Sequence, residues 1–232
     1  PPYPGAGVTR VKAMLLAAGR GERMGALTQE CPKPLLAVAG KPLLRHHLER
    51  LAQAGIREVV INTSYRARQI EDFLQQQSDL GLALHVSHEP ARLETGGGIH
   101  NALPLLGDAP FLLMNGDVWS DYPLQALSLP AQALAYLVLV ANPEHNPRGD
   151  FAVRGPLAVV EGEPRYTFSG ISVLDPRLFR GCAAGRFPLA PLLREAMGNN
   201  QVQCEIYQGL WIDVGTPQRL QAVEQLVQEQ RQ

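Results

Sequence analysis

The chain has 232 residues, 45% of them hydrophobic, which is enough to bury the core of one domain. Lys and Arg number 21 against 22 Asp and Glu, and this formal net charge of -1 excludes a general attraction to nucleic acid or to an anionic membrane. The three cysteines are scattered without CxxC spacing, which excludes a disulfide framework or a zinc knuckle and favours a cytoplasmic location.

The first ten residues, PPYPGAGVTR, lack the charged and apolar regions of a signal peptide. They resemble a remnant of cloning, and one domain is expected over residues 11–232. No apolar run is long enough to span a bilayer, so no membrane partner is expected.

Apolar runs in the first part of the chain predict buried strands that alternate with helices. The runs are KAMLLA from Lys12, EVVIN from Glu58, LALHV from Leu82, FLLMN from Phe111 and LAYLVLV from Leu134. Helical periodicity between them is shown by Leu44, His47, Leu48 and Leu51, and then by Ile70, Phe73 and Leu74. This alternation predicts an α/β fold: a single Rossmann-like domain with a mostly parallel sheet flanked by helices.

The second part of the chain has a different texture. Residues 142–164 are rich in Pro, Gly and charge, which predicts a hairpin-rich insertion. A strand from Tyr166, a helix over 189–197, a strand over 201–207 and a turn at WIDVGTP follow. Thr216 before Pro217 then predicts the start of a closing helix.

A glycine-rich loop directly follows the first strand, where ligands of a parallel sheet bind. A kinase-type P-loop is excluded because Gly40 and Lys41 are followed by Pro42. A dinucleotide fingerprint is weakly supported, since Met24 takes the place of its third glycine and the second strand ends in Asn62.

The same loop carries Arg23 and Lys33 close to one strand end. Each alone would be read as a solvated surface charge. Together, behind a glycine loop, they favour the binding of a triphosphate whose terminal phosphates leave.

Two acids follow later strands. Asp117 ends FLLMNGD, where an Asx turn is an equal alternative, and Asp213 lies in WIDVGTP, where Thr216 is the better helix cap. Because Mg²⁺ is often held by one or two carboxylates with phosphate oxygens and water, the two acids are candidate metal ligands.

The stretch LAAGRGERMGALTQECPKPLL resembles the signature of the sugar-1-phosphate nucleotidylyltransferases, GxGxRxxPLT followed by PKPL. One departure is Ala26 in place of the proline, which is expected to alter loop stiffness and not chemistry. The resemblance implies that Arg23 and Lys33 are catalytic, holding the triphosphate and neutralising the departing pyrophosphate. It also implies that Asp117 and Asp213 bind the Mg²⁺ cofactor.

The resemblance also implies two sets of binding residues. The nucleotide-binding set is Ala17, Ala18, Gly19, Gly21, Glu22, Arg23, Lys33, Gly96 and Gly97. The sugar-binding set is Asn115, Gly149, Glu163, Ser169 and Gly170. Glu161 competes with Glu163, because the family's E-K-P spacing is not kept.

The glycine cluster from Gly96 to Gly98 has two interpretations. It is either a flexible loop before a helix capped at Thr95, or a stretch that approaches the nucleobase and ribose, as the resemblance implies. The histidines form no ligand cluster: His46, His47, His85 and His88 are expected in solvent or core roles. No serine has a matching His and acid, so hydrolysis is not predicted.

The implied reaction joins a nucleoside triphosphate to a sugar 1-phosphate and releases pyrophosphate. The run LETGGGIHNALPLLGDAPFLLMNGDVWSDY is most similar to members that use UTP and N-acetylmuramate 1-phosphate in the recycling of bacterial cell-wall sugars. Guanylyl transfer to mannose 1-phosphate is one alternative, and a non-catalytic sugar-nucleotide sensor is another. The presence of all four charged residues argues against the sensor, and the oligomeric state is left open.

Overall fold

The computed structural model describes residues 11–229, so the expected cloning remnant lies outside the described residues. The first strands are β1 (Ala13–Leu16), β2 (Ala37–Val38), β3 (Lys41–Pro42), β4 (Glu58–Thr63), β5 (Ala83–His88), β6 (Phe111–Asn115) and β7 (Val118–Ser120). The later strands are β8 (Ala135–Val140), β9 (Phe151–Arg154), β10 (Leu157–Val159), β11 (Arg165–Leu174), β12 (Val202–Tyr207) and β13 (Trp211–Asp213). The helices are α1 (Leu27–Glu30), α2 (Leu43–Gln53), α3 (Ala67–Gln75), α4 (Glu94–Leu106), α5 (Ala190–Gly198) and α6 (Pro217–Glu229).

Nine strands form one sheet in the order β5-β4-β1-β6-β11-β8-β12-β10-β9. The pairs β5/β4, β4/β1, β1/β6 and β8/β12 are parallel, and the remaining pairs are antiparallel. The prediction of a mostly parallel sheet is therefore wrong, and the sheet is mixed. The physical reason is that a parallel neighbour needs a crossover connection, whereas the chain between β8 and β11 forms the hairpin β9/β10.

Helices cover both faces of this sheet, because alternate residues of its central strands point to opposite sides. Ala13 and Leu15 of β1 belong to the core cluster that includes Leu44, Leu48 and Leu51 of α2 and Ile70 of α3. Met14 belongs to the cluster on the other face, which includes Ile99 of α4 and Leu193 of α5. The predicted flanking helices are thus present, and no helix between residues 11 and 229 has the length and hydropathy to cross a membrane.

Local predictions in the second half of the chain had mixed outcomes. The hairpin-rich insertion is confirmed by β9 and β10, and the start of α6 is confirmed because Arg219 N donates to Thr216 Oγ1 at 3.4 Å. The turn predicted at WIDVGTP is wrong in its first part, since Trp211–Asp213 is a strand paired with β7. That partner lies far back in the sequence, where a local pattern cannot reveal it.

Candidate active site

A cleft of about 390 Å³ opens at the carboxyl ends of β1, β4 and β6. Its lining is Leu16, Ala17, Ala18, Gly19, Lys33, Pro34, Asn62, Glu89, Arg92, Glu94, Thr95, Asn115, Gly116, Asp117, Arg186 and Pro188. Six of the predicted site residues therefore share this cleft: Ala17, Ala18, Gly19, Lys33, Asn115 and Asp117. This is the edge at which a parallel sheet binds ligands.

The glycine loop starts at the end of β1 and folds back over Lys33. Gly21 has a left-handed φ of 66°, and a Cβ added to it would lie 3.0 Å from Lys33 Cβ, so a side chain there would be strained and crowded. Thr28 Oγ1 donates to the carbonyl O of Gly21 at 3.1 Å, which fixes the fold of the loop. Glu22 and Arg23 follow in a short exposed 3₁₀ turn.

Lys33 forms an ion pair with Asp117. Its Nζ lies 2.8 Å from Asp117 Oδ2, and only 10% of the lysine side chain is exposed. The two neighbouring prolines shape this placement, because Pro32 is extended and Pro34 continues a 3₁₀ turn that begins at Lys33. A lysine predicted for the triphosphate and an acid predicted for the metal are thus in direct contact.

The two candidate metal ligands lie at the paired ends of two antiparallel strands, since Asp117 directly precedes β7 and Asp213 ends β13. Asp213 of β13 is the register partner of Val118 in β7, the residue after Asp117. Val214 N donates to the carbonyl O of Asp117 at 2.7 Å, which closes the pairing beyond the strand end. The tertiary structure therefore brings together two acids that are almost a hundred residues apart in sequence.

Asp213 is surrounded by basic side chains. Arg219 Nη1 lies 2.7 Å from Asp213 Oδ2, and His145 Nε2 lies 3.2 Å from the same oxygen. Arg23 is also close, since a Cβ added to Gly215 would lie 2.8 Å from Arg23 Nη2 and 2.9 Å from Asp213 Oδ1. Arg23, Lys33, Asp117 and Asp213 consequently occupy one region.

The carboxylates of Asp117 and Asp213 fit a hard divalent cation such as Mg²⁺. No group of three or more His, Cys, Asp and Glu side chains in residues 11–229 is arranged to hold a metal. A cation bound by the two aspartates would therefore complete its coordination with phosphate oxygens and water, which is how Mg²⁺ is commonly bound beside a nucleotide.

Asn62 and Glu89 form a buried hydrogen-bond network in the wall of the cleft. Asn62 Oδ1 accepts from Ala17 N at 2.7 Å, and Asn62 Nδ2 donates to Glu89 Oε1 at 2.8 Å. Glu89 Oε2 accepts from Leu93 N at 3.0 Å, just before α4. The network ties the start of the glycine loop to the start of α4.

The glycines from Gly96 to Gly98 lie inside α4, which excludes the first of the two interpretations, a flexible loop before a helix capped at Thr95. Gly97 N donates to Phe187 O at 2.9 Å, and a Cβ added to Gly97 would lie 2.1 Å from the carbonyl O of Gly185. A Cβ added to Gly96 would meet the Phe187 ring at 2.6 Å. The atoms nearest to Gly96 and Gly97 belong to residues 185–188, whereas those nearest to Gly98 belong to Glu89 and Asn62. Glycine at these positions permits this close packing.

Two of the predicted sugar-binding residues meet near the cleft. Gly170 has a φ of 81°, and a Cβ added to it would lie 2.6 Å from Asn115 Nδ2. Ser169 is buried beside them, and its hydroxyl accepts from Ile171 N at 3.1 Å within the same strand.

The other two predicted sugar-binding residues lie in a separate cleft of about 590 Å³. Gly149 and Glu163 line it together with Asn142, Pro147, Arg148 and Arg165. Glu163 and its competitor Glu161 are both exposed, so exposure does not choose between them.

The polar residues of the site that sequence reasoning missed include Asn62, Glu89, His145 and Arg219. Asn62 and Glu89 follow the same rule as Asp117, because each lies at the carboxyl end of a strand, and that position could have identified them. His145 lies in a loop and Arg219 in α6, and neither carries a local signal of its proximity to Asp213.

Comparison with known proteins identifies the family. The family model described as Nucleotidyl transferase matches residues 12–153. A protein of Neisseria meningitidis serogroup B (strain ATCC BAA-335 / MC58) is 50% identical over 226 residues, which cover 93% of this chain and 98% of that protein. The chain belongs to the nucleotidyl transferase family, and the resemblance read from its first loop is confirmed.

The relatives carry specific names. The Neisseria protein is named N-acetylmuramate alpha-1-phosphate uridylyltransferase, as is a Caulobacter vibrioides protein that is 33% identical over 91% of this chain and 95% of its own. A Danio rerio protein named mannose-1-phosphate guanylyltransferase catalytic subunit beta is 30% identical over 89% of this chain and 62% of its own.

Solved structures agree on the fold. The inositol-1-phosphate CTP transferase of T. maritima superposes with a TM-score of 0.79 at 19% identity, over 94% of this chain and 95% of that one.

Proposed function

We propose that this protein transfers a uridylyl group from UTP to N-acetylmuramate 1-phosphate, giving a UDP-sugar and pyrophosphate. The observation that carries the chemistry is the convergence of two cations and two acids, Arg23, Lys33, Asp117 and Asp213, at the carboxyl ends of the strands. The choice of substrates is supported by the Neisseria relative, whose identity extends along 93% of this chain.

In the proposed reaction a phosphate oxygen of the sugar 1-phosphate attacks the α-phosphorus of UTP. The new P–O bond forms as the bond between the α-phosphorus and the bridging oxygen breaks, and the electron pair leaves with pyrophosphate. Both phosphate groups are already ionised, so no proton has to be moved and no covalent enzyme intermediate is required.

The protein contributes placement and charge. Lys33, held rigidly between two prolines, and Arg23, beside Asp213, neutralise the charge that develops on the departing pyrophosphate. Mg²⁺ held by Asp117 and Asp213 would supply further charge neutralisation at the phosphates. The Asn62–Glu89 network keeps the Ala17 peptide in place at the start of the nucleotide loop.

The proposed sugar-binding residues are those around Asn115 and Gly170, which border the cleft. Assignment of Gly149 and Glu163 to the sugar stays a prediction. The cytoplasmic location also stays a prediction, and the proposed use of a nucleoside triphosphate supports it.

A pyrophosphate-release assay tests the proposal. UTP, GTP, CTP, dTTP and ATP are each paired with the 1-phosphates of N-acetylmuramate, N-acetylglucosamine, glucose and mannose in the presence of Mg²⁺. We expect the highest kcat/KM for UTP with N-acetylmuramate 1-phosphate.

A higher kcat/KM for GTP with mannose 1-phosphate would show that the proposed substrates are wrong and that the proposed chemistry is right. The relatives named as mannose-1-phosphate guanylyltransferases support this alternative. Tight binding of a sugar nucleotide without any pyrophosphate release would instead favour the sensor.

A further inference from the structure

Helix α2 holds the segment that carries Asp117 through three side chains on one of its faces. His47 Nε2 donates to the carbonyl O of Gly116 at 3.0 Å. The His46 ring meets the Trp119 ring edge-on, with centroids 5.0 Å apart, and Arg50 Nη2 donates to the carbonyl O of Tyr122 at 2.9 Å. Helix α2 therefore contacts the segment 116–122 at Gly116, Trp119 and Tyr122.

His47 is an unusual residue for its position. It is 1% exposed, on the face of α2 that otherwise buries Leu43, Leu44, Leu48 and Leu51. A carbonyl can only accept a hydrogen bond, so Nε2 carries the ring proton and Nδ1 is left unprotonated. In the described part of the chain Nδ1 has no hydrogen-bond partner, so a leucine would be better suited to packing alone.

The hydrogen bond from His47 to Gly116 explains why a histidine occupies a position where packing alone would favour leucine. Gly116 N donates to Leu16 O at 2.9 Å, and a Cβ on Gly116 would lie 2.6 Å from that oxygen, so the peptide fits tightly against the end of β1. His47 holds the other side of the same residue, through its carbonyl. Asp117 is the next residue after this glycine, whose backbone is held on both sides.

The same helix also supports the cation that faces Asp117. Leu43 N, at the first residue of α2, donates to the carbonyl O of Leu36 at 2.9 Å. Leu36 directly follows the 3₁₀ turn Lys33–Leu35, and its N donates to the carbonyl O of Lys33. One rigid element thus sets both sides of the 2.8 Å contact between Lys33 and Asp117.

We propose that His47 is a positioning residue, which holds the Gly116 peptide so that the Asp117 carboxylate points to the place where the divalent cation and the phosphates bind. The inference rests on the proposed function, because it takes Asp117 as a ligand of Mg²⁺. It assigns a task within the reaction to a buried residue that touches no substrate.

The test compares two substitutions of different hydrogen-bonding ability. His47→Leu has a similar volume and no donor, whereas His47→Gln keeps an N–H donor at nearly the reach of Nε2. Ile70→Val is the matched control, because Ile70 is a fully buried core residue of α3 and the change disturbs packing only. His47→Asn, whose amide is too short to reach Gly116, replaces the leucine variant if that variant does not fold.

Two quantities are measured at a temperature at which thermal melts show every variant folded. One is the affinity for Mn²⁺, followed by electron paramagnetic resonance, in the presence of an α,β-imido analogue of UTP that cannot be cleaved. The other is kcat and KM for pyrophosphate release. We expect His47→Leu to weaken Mn²⁺ binding and to lower kcat by about 10-fold to 100-fold, the range for residues that orient metal ligands. His47→Gln should restore most of both, and Ile70→Val should change neither.

If the wild-type protein releases pyrophosphate and His47→Leu binds Mn²⁺ as tightly as the wild type does, the positioning role is overturned and the proposed function is left intact. An equal loss of Mn²⁺ affinity and kcat in Ile70→Val would also overturn the positioning role, because the loss would then result from reduced stability. Absence of both Mn²⁺ binding and pyrophosphate release in the wild type would overturn the proposed function and this inference with it.

Discussion

Lys33 is held in a fixed position by burial and by an ion pair. Lysine is usually exposed and flexible, yet here the side chain is 10% exposed and its Nζ is fixed at 2.8 Å from Asp117. A fixed, partly desolvated cation stabilises developing phosphate charge more effectively than a solvated one, because it needs no reorganisation during the reaction.

We expect Lys33→Ala to lower kcat/KM for pyrophosphate release by roughly 10²-fold to 10⁴-fold, the scale for removal of one electrostatic stabiliser. The matched control is Lys41→Ala. Lys41 also forms an ion pair, with Glu49 Oε2 at 2.7 Å, but it lies on the surface away from the cleft. Steady-state kinetics of both variants check this, and near-normal turnover in Lys33→Ala would return Lys33 to a structural role.

The two aspartates are expected to act as one unit. Asp117→Asn and Asp213→Asn keep the shape and remove a negative charge, so turnover should collapse and excess Mg²⁺ should recover part of it. Because both would bind one ion, the double variant should be scarcely worse than the poorer single variant. Pyrophosphate release is measured against Mg²⁺ concentration, with thermal melts in the absence of metal.

Asp79→Asn is the control for the aspartate variants. Asp79 also pairs with an arginine, Arg45, but lies on the surface and is 62% exposed. Full activity in Asp117→Asn or Asp213→Asn, or wild-type turnover unaffected by EDTA, would remove the shared metal from the mechanism.

At the scale of elements, α4 and residues 185–188 depend on each other. The two segments exchange backbone hydrogen bonds, Gly97 N to Phe187 O and Phe187 N to Leu93 O. Their contact also places Thr95 and Arg186 in the lining of the cleft. The glycines of α4 are therefore needed for the packing of one element against another.

Gly97→Ala tests this dependence. The added Cβ would lie 2.1 Å from the Gly185 carbonyl O, so backbone must shift, and we expect a loss of about 1–3 kcal/mol in the free energy of unfolding. The KM for UTP should rise with it, because the cleft lining moves. Thermal melts and kinetics measure both effects.

Gly198→Ala is the control for a glycine without this contact. Gly198 is the last residue of α5, and nothing lies within 4 Å of a Cβ added there. That variant should have an unchanged or slightly raised melting temperature. If the two alanine variants behave alike, the close contact at Gly97 is not what stabilises α4.

At the scale of the whole molecule, the buried His47 makes stability depend on pH. Burial, together with the nearby Arg50 charge, lowers the pKa of His47 from 6.5 to about 4, even though the Gly116 hydrogen bond raises it. The unfolded chain therefore binds a proton between pH 6.5 and 4 that the folded chain excludes. Stability from this group is complete above the unfolded pKa and is lost as pH falls towards the folded pKa.

We expect the titration of His47 alone to lower the free energy of unfolding by about 3 kcal/mol as the pH falls from 7 to 4. Urea unfolding of the wild type and of His47→Gln at both pH values measures this contribution, because the glutamine does not titrate and other acidic groups affect both proteins. An equal loss of stability in the two proteins would show that His47 is not kept neutral by burial.

The amino-acid sequence by itself determined the buried strands, the flanking helices and the place of the glycine loop after the first strand. These features depend on local properties. A run such as FLLMN is buried on both faces of a sheet, and the spacing of Arg23 and Lys33 around glycines and prolines is legible without knowledge of distant partners.

Only the tertiary structure decided which residues from distant parts of the chain meet. The antiparallel half of the sheet, the pairing of β13 with β7, the basic side chains around Asp213 and the hydrogen bond from α2 to Gly116 all join segments tens of residues apart or more. Such contacts follow from the packing of complete elements, in which the hydrophobic patterns of many segments are satisfied together. His47 is the clearest case: periodicity assigns it correctly to the core, and its hydrogen bond to the residue before Asp117 exists only once α2 has packed against the sheet.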